Sequence, residues 1–300
     1  KLFGIRHVNV RAMLGNPLQN KPRLDQVMRA LRKYNGPKEG KRPTSRAMLM
    51  AMERLLDHKH NAVDRVLHAA AMTSWHFMMR SAEYCAKLAK GAFDTDKVLR
   101  MKDAKFFIKG QPTLNYARAD EVRVTFGKTK TTGGGEVRAH FATNHSCCVV
   151  RALAELFIHG DSTDAEAPLF AWPKGTDMRG EGVRYVDMVA LIKRAARYCG
   201  LEDEFYSSHS QRRGGASGYL LSGAMNLEEV RVYGRWKSLS SLRLYIEPGM
   251  GALAVAAQAK VLSGQEDVNM MQMEPPRERD FMRMRAAKAV KEMQKGAPSR

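Results

Sequence analysis

The chain has 300 residues and a formal net charge of +19, with 50 lysines and arginines against 31 acidic residues. This length suggests about two domains, and the charge favours a polyanionic partner, because clustered cations displace the counterions that phosphates hold. Aromatic residues make up only 8%, which favours contact with a duplex backbone over a single-strand stacking platform. No apolar run reaches the roughly 18 residues of a membrane span, and four cysteines without a C-x-x-C pair fit a reducing compartment.

The N-terminal part is predicted to be helical. Residues 1–35 carry helical periodicity in two pieces, and residues 36–43 combine breakers with charges as an interdomain linker does. Basic residues lie mostly off the apolar stripes of these helices. They are Arg6, Arg11, Arg29, Arg32 and Lys33. A DNA-facing surface and an ordinary solvated helix face both remain open for each of them.

Arg80 follows a helix that Asn61 is predicted to cap. We expect Ser81 to cap a further helix over residues 82–88, so that Arg80 lies at a corner between two helices. Its guanidinium would then be free to point outward. Taken alone, one arginine before a serine is weak evidence for a site.

Alternating apolar residues at 122–126 and 137–141 predict an antiparallel hairpin around the Gly133–Gly135 turn. The Gly127-Lys128-Thr129 triplet resembles part of a phosphate-binding loop, but the upstream glycine is missing and a strand follows instead of a helix. That alternative is therefore disfavoured.

A metal centre is not expected near the end of the hairpin. Two histidines and two cysteines lie there, but their spacing fits no common zinc site. They are His140, His145, Cys147 and Cys148. A helix through Phe157, capped by Asn144 or Ser146, accounts for the region without an ion.

Four residues that suit chemistry on a phosphate fall between residues 208 and 247. They are His209, Arg212, Trp236 and Tyr245. His209 and Arg212 lie one turn apart on a predicted helix that Gly223 ends, so their side chains can point the same way. An Asn226–Glu229 capping box begins a second helix, and Ser238 or Ser240 caps a third that carries Tyr245.

A phenol, an imidazole and a fixed guanidinium suit the attack of a tyrosinate on a phosphodiester. The stretch resembles the C-terminal active-site boxes of the tyrosine recombinases, the lambda-integrase family, and the resemblance extends over about residues 1–262. It implies a mainly α fold with a small antiparallel β-hairpin or sheet. It also implies a site-specific recombinase or integrase that cleaves and rejoins DNA through a 3′-phosphotyrosyl intermediate, without metal, ATP or another cofactor.

The resemblance assigns roles to particular residues. The implied catalytic set is Arg80, Lys130, His209, Arg212, Trp236 and Tyr245. In that set the lysine protonates the leaving 5′ oxygen, and Lys128 is the alternative, because hairpin register is not fixed by sequence. Glu83 stands where an acidic partner supports the fold around the first arginine. Lys128, Arg213 and Arg235 are further candidate DNA contacts.

The domain organisation also follows from the resemblance. Residues 1–35 are the C-terminal part of a helical core-binding domain, 36–43 the linker, 44–250 the catalytic domain, and 251–300 a C-terminal helix with a basic tail. The implied partners are double-stranded DNA and other copies of this chain, as a tetramer in synapsis through the C-terminal helix. We expect no membrane partner, and a location in the nucleus of a eukaryote or otherwise in the cytoplasm.

Two other functions fit similar residues. A type IB topoisomerase breaks and rejoins DNA by the same chemistry, and a catalytically inactive descendant would retain DNA binding only. The sequences Arg212-Arg213-Gly-Gly and Gly234-Arg235-Trp236 favour a recombinase of a eukaryotic mobile element, of the crypton or DIRS type.

Overall fold

A computed structural model describes residues 26–27, 41–86, 96–127, 133–160, 164–176, 178 and 181–246. The chain divides into two compact units, residues 1–214 and 215–300. Within the described ranges, no helix combines the length and the apolar character needed to cross a membrane. Several predicted features lie outside these ranges. They are Arg6, Arg11, Arg29, Arg32, Lys33, Lys128, Lys130 and residues 251–300.

The first unit is built mainly of helices. They are α1 (Arg46–Leu55), α2 (Ala62–His76), α3 (Val149–His159), α4 (Tyr185–Tyr198) and α5 (Ser208–Leu221), the last of which continues past residue 214. Ser45 caps α1 by accepting the Met48 N–H at 3.3 Å, and the Asn61 side chain caps α2 as predicted. The apolar sides of these helices form the core together with the Leu169–Phe170 segment, whose two side chains are each 1% exposed.

A four-stranded antiparallel sheet completes the first unit. Its strands are β1 (Ala104–Ile108), β2 (Gln111–Thr113), β3 (Glu121–Phe126) and β4 (Glu136–Phe141), in the order β2-β1-β3-β4. The predicted hairpin is β3 and β4, with Val122 opposite His140. The predicted fold class, mainly α with a small antiparallel sheet, is therefore confirmed.

The helix predicted over residues 82–88 is wrong for the part of it that is described. Ser81–Glu83 form a single 3-10 turn. The Ala86 N–H then donates to the Val183 carbonyl at 2.8 Å, and the Leu99 N–H donates to the Glu83 carbonyl at 2.9 Å. Hydrogen bonds to distant segments replace the i to i+4 ladder that a helix would need.

The predicted cap of α3 is also wrong. The helix begins at Val149, and neither Asn144 nor Ser146 caps it. The Asn144 side-chain oxygen instead accepts a hydrogen bond from Arg151 at 3.3 Å. That contact uses the oxygen on which the capping prediction depended.

The second unit contains two helices after the end of α5 within the described residues. They are α6 (Leu227–Tyr233) and α7 (Leu239–Ile246). Gly223 adopts φ +71° just after α5, and Asn226 and Glu229 form the predicted capping box at the start of α6. Ser238 caps α7 by accepting the Ser241 N–H at 3.2 Å.

Candidate active site

Arg80 is held at the corner after α2 by Glu83. The Glu83 carboxylate accepts the Arg80 backbone N–H at 2.9 Å and its guanidinium Nη1 at 3.0 Å. The Glu83 side chain is 4% exposed, whereas that of Arg80 is 31% exposed. A buried carboxylate therefore fixes one side of the guanidinium, and part of the remaining surface faces solvent.

Arg212 lies in the same region of the first unit. It is 1% exposed, and its Nη1 donates to the main-chain carbonyl of Met78, two residues before Arg80. Met78 has φ +49°, a left-handed conformation that is unusual for a side chain of this size. Both arginines are thus tied to the short segment that follows α2.

A close backbone contact sets the position of α5, the helix that carries Arg212. The Thr44 N–H donates to the Ser210 carbonyl at 2.9 Å, and the Trp75 indole N–H donates to the Thr44 carbonyl at 3.0 Å. A Cβ at Gly214 would lie 2.1 Å from the Thr44 oxygen and 2.6 Å from the Trp75 indole nitrogen. Only glycine at this position allows the helix to approach α2 so closely.

His209 lies near the start of α5, with part of its surface exposed. Desolvation by the surrounding protein lowers its pKa, and the charges of Arg213 and Arg212 lower it further. A lowered pKa keeps the imidazole neutral near pH 7, the form that can accept a proton.

Arg213 points to the segment that precedes α1. Its Nη1 donates to the Lys41 carbonyl at 2.5 Å. Nearby, the Arg42 N–H donates to the Phe205 carbonyl at 2.8 Å, and the Arg42 guanidinium lies 3.9 Å from the Phe205 ring centroid. The last residues of the predicted linker are therefore fixed along the segment that leads into α5.

Trp236 and Tyr245 belong to the second unit, where they contact each other. Their ring centroids are 5.3 Å apart in an edge-to-face arrangement with an interplanar angle of 69°. Trp236 is 5% exposed, whereas Tyr245 is partly exposed. The Trp236 indole thus covers one side of the Tyr245 ring.

The turn after α6 is shaped to hold Trp236. A Cβ on Gly234 would lie 1.8 Å from an atom of the Trp236 ring, and Arg235 adopts φ +62°. Arg231 donates to the Trp236 carbonyl at 3.1 Å and pairs with Glu228. Arg235 is 3% exposed, so a DNA contact by this residue requires its side chain to become accessible.

The structure brings the predicted residues together in two groups. Arg80, Glu83, His209 and Arg212 lie in the first unit, and Trp236 and Tyr245 lie in the second. Sequence reasoning missed two residues that position the first group, Met78 and Thr44, since both act through backbone groups. The Gly-Gly pair after Arg213 was the only available signal of a close backbone approach.

No protein-family model matches the chain, and no curated protein matches it. Among solved structures, XerH site-specific recombinase bound to palindromic difH substrate in a post-cleavage complex is similar with a TM-score of 0.47 and 17% identity. That match covers 72% of this chain and 52% of the XerH chain, so the chain spans about half the length of that relative. The Tn1549 transposon integrase in complex with a circular intermediate DNA is similar with a TM-score of 0.41 and 15% identity, over 69% of this chain and 62% of the integrase.

Proposed function

We propose that this chain is a DNA breaking and rejoining enzyme of the tyrosine-recombinase type. Tyr245 attacks a DNA phosphodiester, the 5′ oxygen leaves, and a 3′-phosphotyrosyl bond retains the energy needed for rejoining to a 5′ hydroxyl. The single observation that carries the proposal is the tethering of Arg212 to the Met78 carbonyl, two residues from Arg80.

Two guanidinium groups suit this reaction because negative charge grows on the non-bridging phosphate oxygens as the nucleophile attacks. Planar forks match those oxygens bidentately and stay charged at any working pH. Arg80 is pre-oriented by a 4% exposed carboxylate and Arg212 by a backbone carbonyl. A group fixed before the reaction stabilises the transition state without reorganising, and Arg80, whose side chain is 31% exposed, meets that condition. Because Arg212 is 1% exposed, its guanidinium must become accessible when DNA binds.

The other roles follow from chemistry and position. His209, with a pKa below that of an ordinary histidine, accepts the tyrosine proton or donates to the phosphate once it is protonated. Trp236 limits the access of water on one side of the Tyr245 ring. Lys130 is proposed as the general acid, with Lys128, two residues earlier in the sequence, as the alternative.

The partner and the subtype belong to the same proposal. A net charge of +19 favours double-stranded DNA as the substrate. We also propose that the protein assembles into a tetramer through residues 250–262. Its proposed origin is a mobile element of the crypton or DIRS type. Sedimentation of the protein with and without a duplex target tests the assembly.

A suicide substrate tests the activity. A duplex nicked near the scissile phosphate loses its short 5′-hydroxyl fragment after cleavage, so the covalent complex accumulates. We expect a covalent adduct to form in the presence of EDTA and without ATP, and to survive denaturing electrophoresis. A supercoiled plasmid that is relaxed without any joining of two duplexes would favour the topoisomerase alternative, and duplex binding without an adduct would favour an inactive descendant.

A further inference from the structure

A second cluster of reactive side chains lies in the first unit, apart from the residues proposed for cleavage. His58 follows α1, His68 belongs to α2 and Glu155 belongs to α3. One ligand atom from each of them lies within 4.8 Å of the other two. The His58 Nδ1 is 2.9 Å from a Glu155 carboxylate oxygen, and the two imidazole rings stack with centroids 4.0 Å apart.

His68 is the unusual member of this cluster. It is 2% exposed, and neither of its ring nitrogens has a hydrogen-bond partner among the described residues. Leaving a buried polar group without a partner is costly, so such groups are rare unless a ligand satisfies them. A neutral imidazole nitrogen that has no hydrogen-bond partner is free to bind a metal ion.

We propose that His58, His68 and Glu155 bind one divalent metal ion of the zinc class. Two imidazoles with one carboxylate form a donor set that zinc accepts, with a fourth position open to water. Zinc–ligand bonds of about 2.0–2.2 Å place neighbouring ligand atoms roughly 3.3 Å apart. The 2.9 Å contact between His58 and Glu155 therefore has to open by only a few tenths of an ångström. One imidazole rotates out of the stack so that both lone pairs converge on the ion.

Glu53 supplies the outer support that such a site needs. Its carboxylate oxygen lies 3.9 Å from the Nε2 of His58, the ring nitrogen that faces away from Glu155. A metal-bound histidine commonly donates its other N–H to a carboxylate, which fixes the tautomer and the ring orientation. Glu53 is therefore assigned as a positioning residue for His58.

The ion would act as a structural clamp. It would join the turn after α1 to α2 and to α3, across 97 residues of chain between His58 and Glu155. Helix α2 ends at His76, just before the segment that carries Arg80. The clamp is separate from the proposed cleavage chemistry, so it stands even if that function is wrong.

Metal titration of the full chain tests the proposal. Protein stripped with EDTA is titrated with Zn²⁺ and, separately, with Co²⁺, while bound metal, the thermal midpoint and the visible spectrum are recorded. We expect one tight equivalent, a higher midpoint, and a tetrahedral cobalt band without thiolate-to-cobalt charge transfer, because the ligands are nitrogen and oxygen.

Glu155→Gln and His68→Leu should each weaken binding by more than the roughly 10–100-fold expected for the outer-shell Glu53→Gln. His60→Gln is the matched control, since His60 is 82% exposed and pairs only with Asp57 at 2.9 Å in the described structure; it should bind like the unaltered protein. Circular dichroism reports whether each variant folds. If His68→Leu does not fold, the metal affinity of Glu155→Gln, a change at a partly exposed position, still tests the site.

Absence of a tight equivalent in the unaltered chain would overturn the proposal. A thiolate band that Glu155→Gln leaves unchanged would overturn it too, because the ion would then be bound by cysteines.

Discussion

The guanidinium of Arg212 donates to the carbonyl of Met78, a residue held at φ +49°. The left-handed turn at Met78 directs this carbonyl toward α5 just before the chain reaches Arg80. Two arginines separated by more than 130 residues are thereby tied to one corner of the first unit. In the proposed function these two guanidiniums would bind the scissile phosphate, a role that metal ions have in many nucleases.

Replacing either arginine by lysine keeps the charge but removes the planar fork. Arg80→Lys and Arg212→Lys should therefore each lower the cleavage rate by roughly two to three orders of magnitude. Duplex affinity should change little, because other basic residues carry most of it. Single-turnover cleavage and a binding titration measure the two effects, and a wild-type cleavage rate would make that arginine structural.

Gly214→Ala should destabilise the protein. A Cβ there would lie 2.1 Å from the Thr44 carbonyl oxygen, and this clash outweighs the gain of about 1 kcal/mol that alanine brings to a helix. We expect a net loss of about 1–3 kcal/mol in the free energy of unfolding. Gly133→Ala is the control, since a Cβ there meets no atom within 4 Å. Equal urea midpoints for the two variants would refute the close approach.

The pH dependence of cleavage should report His209. Its pKa is lowered, so the rate should fall only as the pH drops below the ordinary histidine value of 6.5. Arg213→Gln removes a neighbouring positive charge, so the pKa should rise and the acidic limb should move to higher pH. A pH–rate profile of both proteins checks the sign. An unmoved limb in the variant would assign the titration to another group.

Acid should destabilise the first unit through two neighbouring histidines. Burial lowers the pKa of His76 to about 3 and that of His140 to about 4, from 6.5. Below pH 6.5 the unfolded chain binds protons that the folded chain does not, so stability is lost as the pH falls from about 6.5 toward 4. At pH 5 the loss should be of the order of 1–2 kcal/mol for each histidine. Urea unfolding of His140→Gln should show a weaker pH dependence than the unaltered protein or His60→Gln.

Sulfur substitution separates Lys130 from Lys128. A 5′-bridging phosphorothiolate has a leaving group of low pKa, so it needs no general acid. Lys130→Ala should be slow on ordinary DNA and recover on the phosphorothiolate, whereas Lys128→Ala should show a uniform modest loss. Rescue of Lys128→Ala alone would exchange the two roles. Rescue of neither would remove both lysines from proton transfer.

The sequence predicted the local elements best where a side chain caps them. The caps at Asn61, Asn226 and Ser238 are all present, because each satisfies backbone N–H groups within its own helix turn. The helix predicted over residues 82–88 failed because a distant backbone was the better partner, and the cap predicted for α3 failed because Asn144 bonds Arg151 instead. Ala86 bonds to Val183 instead of continuing a helix.

For the candidate site, the sequence indicated one supporting side chain, Glu83, but not the backbone groups that hold the other residues. Met78 acts through its main-chain carbonyl, and Thr44 acts through its main-chain N–H and carbonyl; neither role leaves a mark on residue identity. The cluster of His58, His68 and Glu155 was not predicted either, since its members come together only when α2, α3 and the turn after α1 pack against one another.

Mapping the covalent adduct tests the central claim most directly. The unaltered protein is trapped on a nicked suicide duplex and digested with a protease, and the peptide that carries the nucleotide is sequenced by mass spectrometry. The Tyr245→Phe variant is the matched control. We expect a 3′-phosphotyrosyl bond at Tyr245 in the unaltered protein. The Tyr245→Phe variant should bind the duplex without forming an adduct. Burial raises the pKa of Tyr219, which makes that residue a poor nucleophile. An adduct at Tyr219 or Tyr233, or one that persists in Tyr245→Phe, would contradict the account.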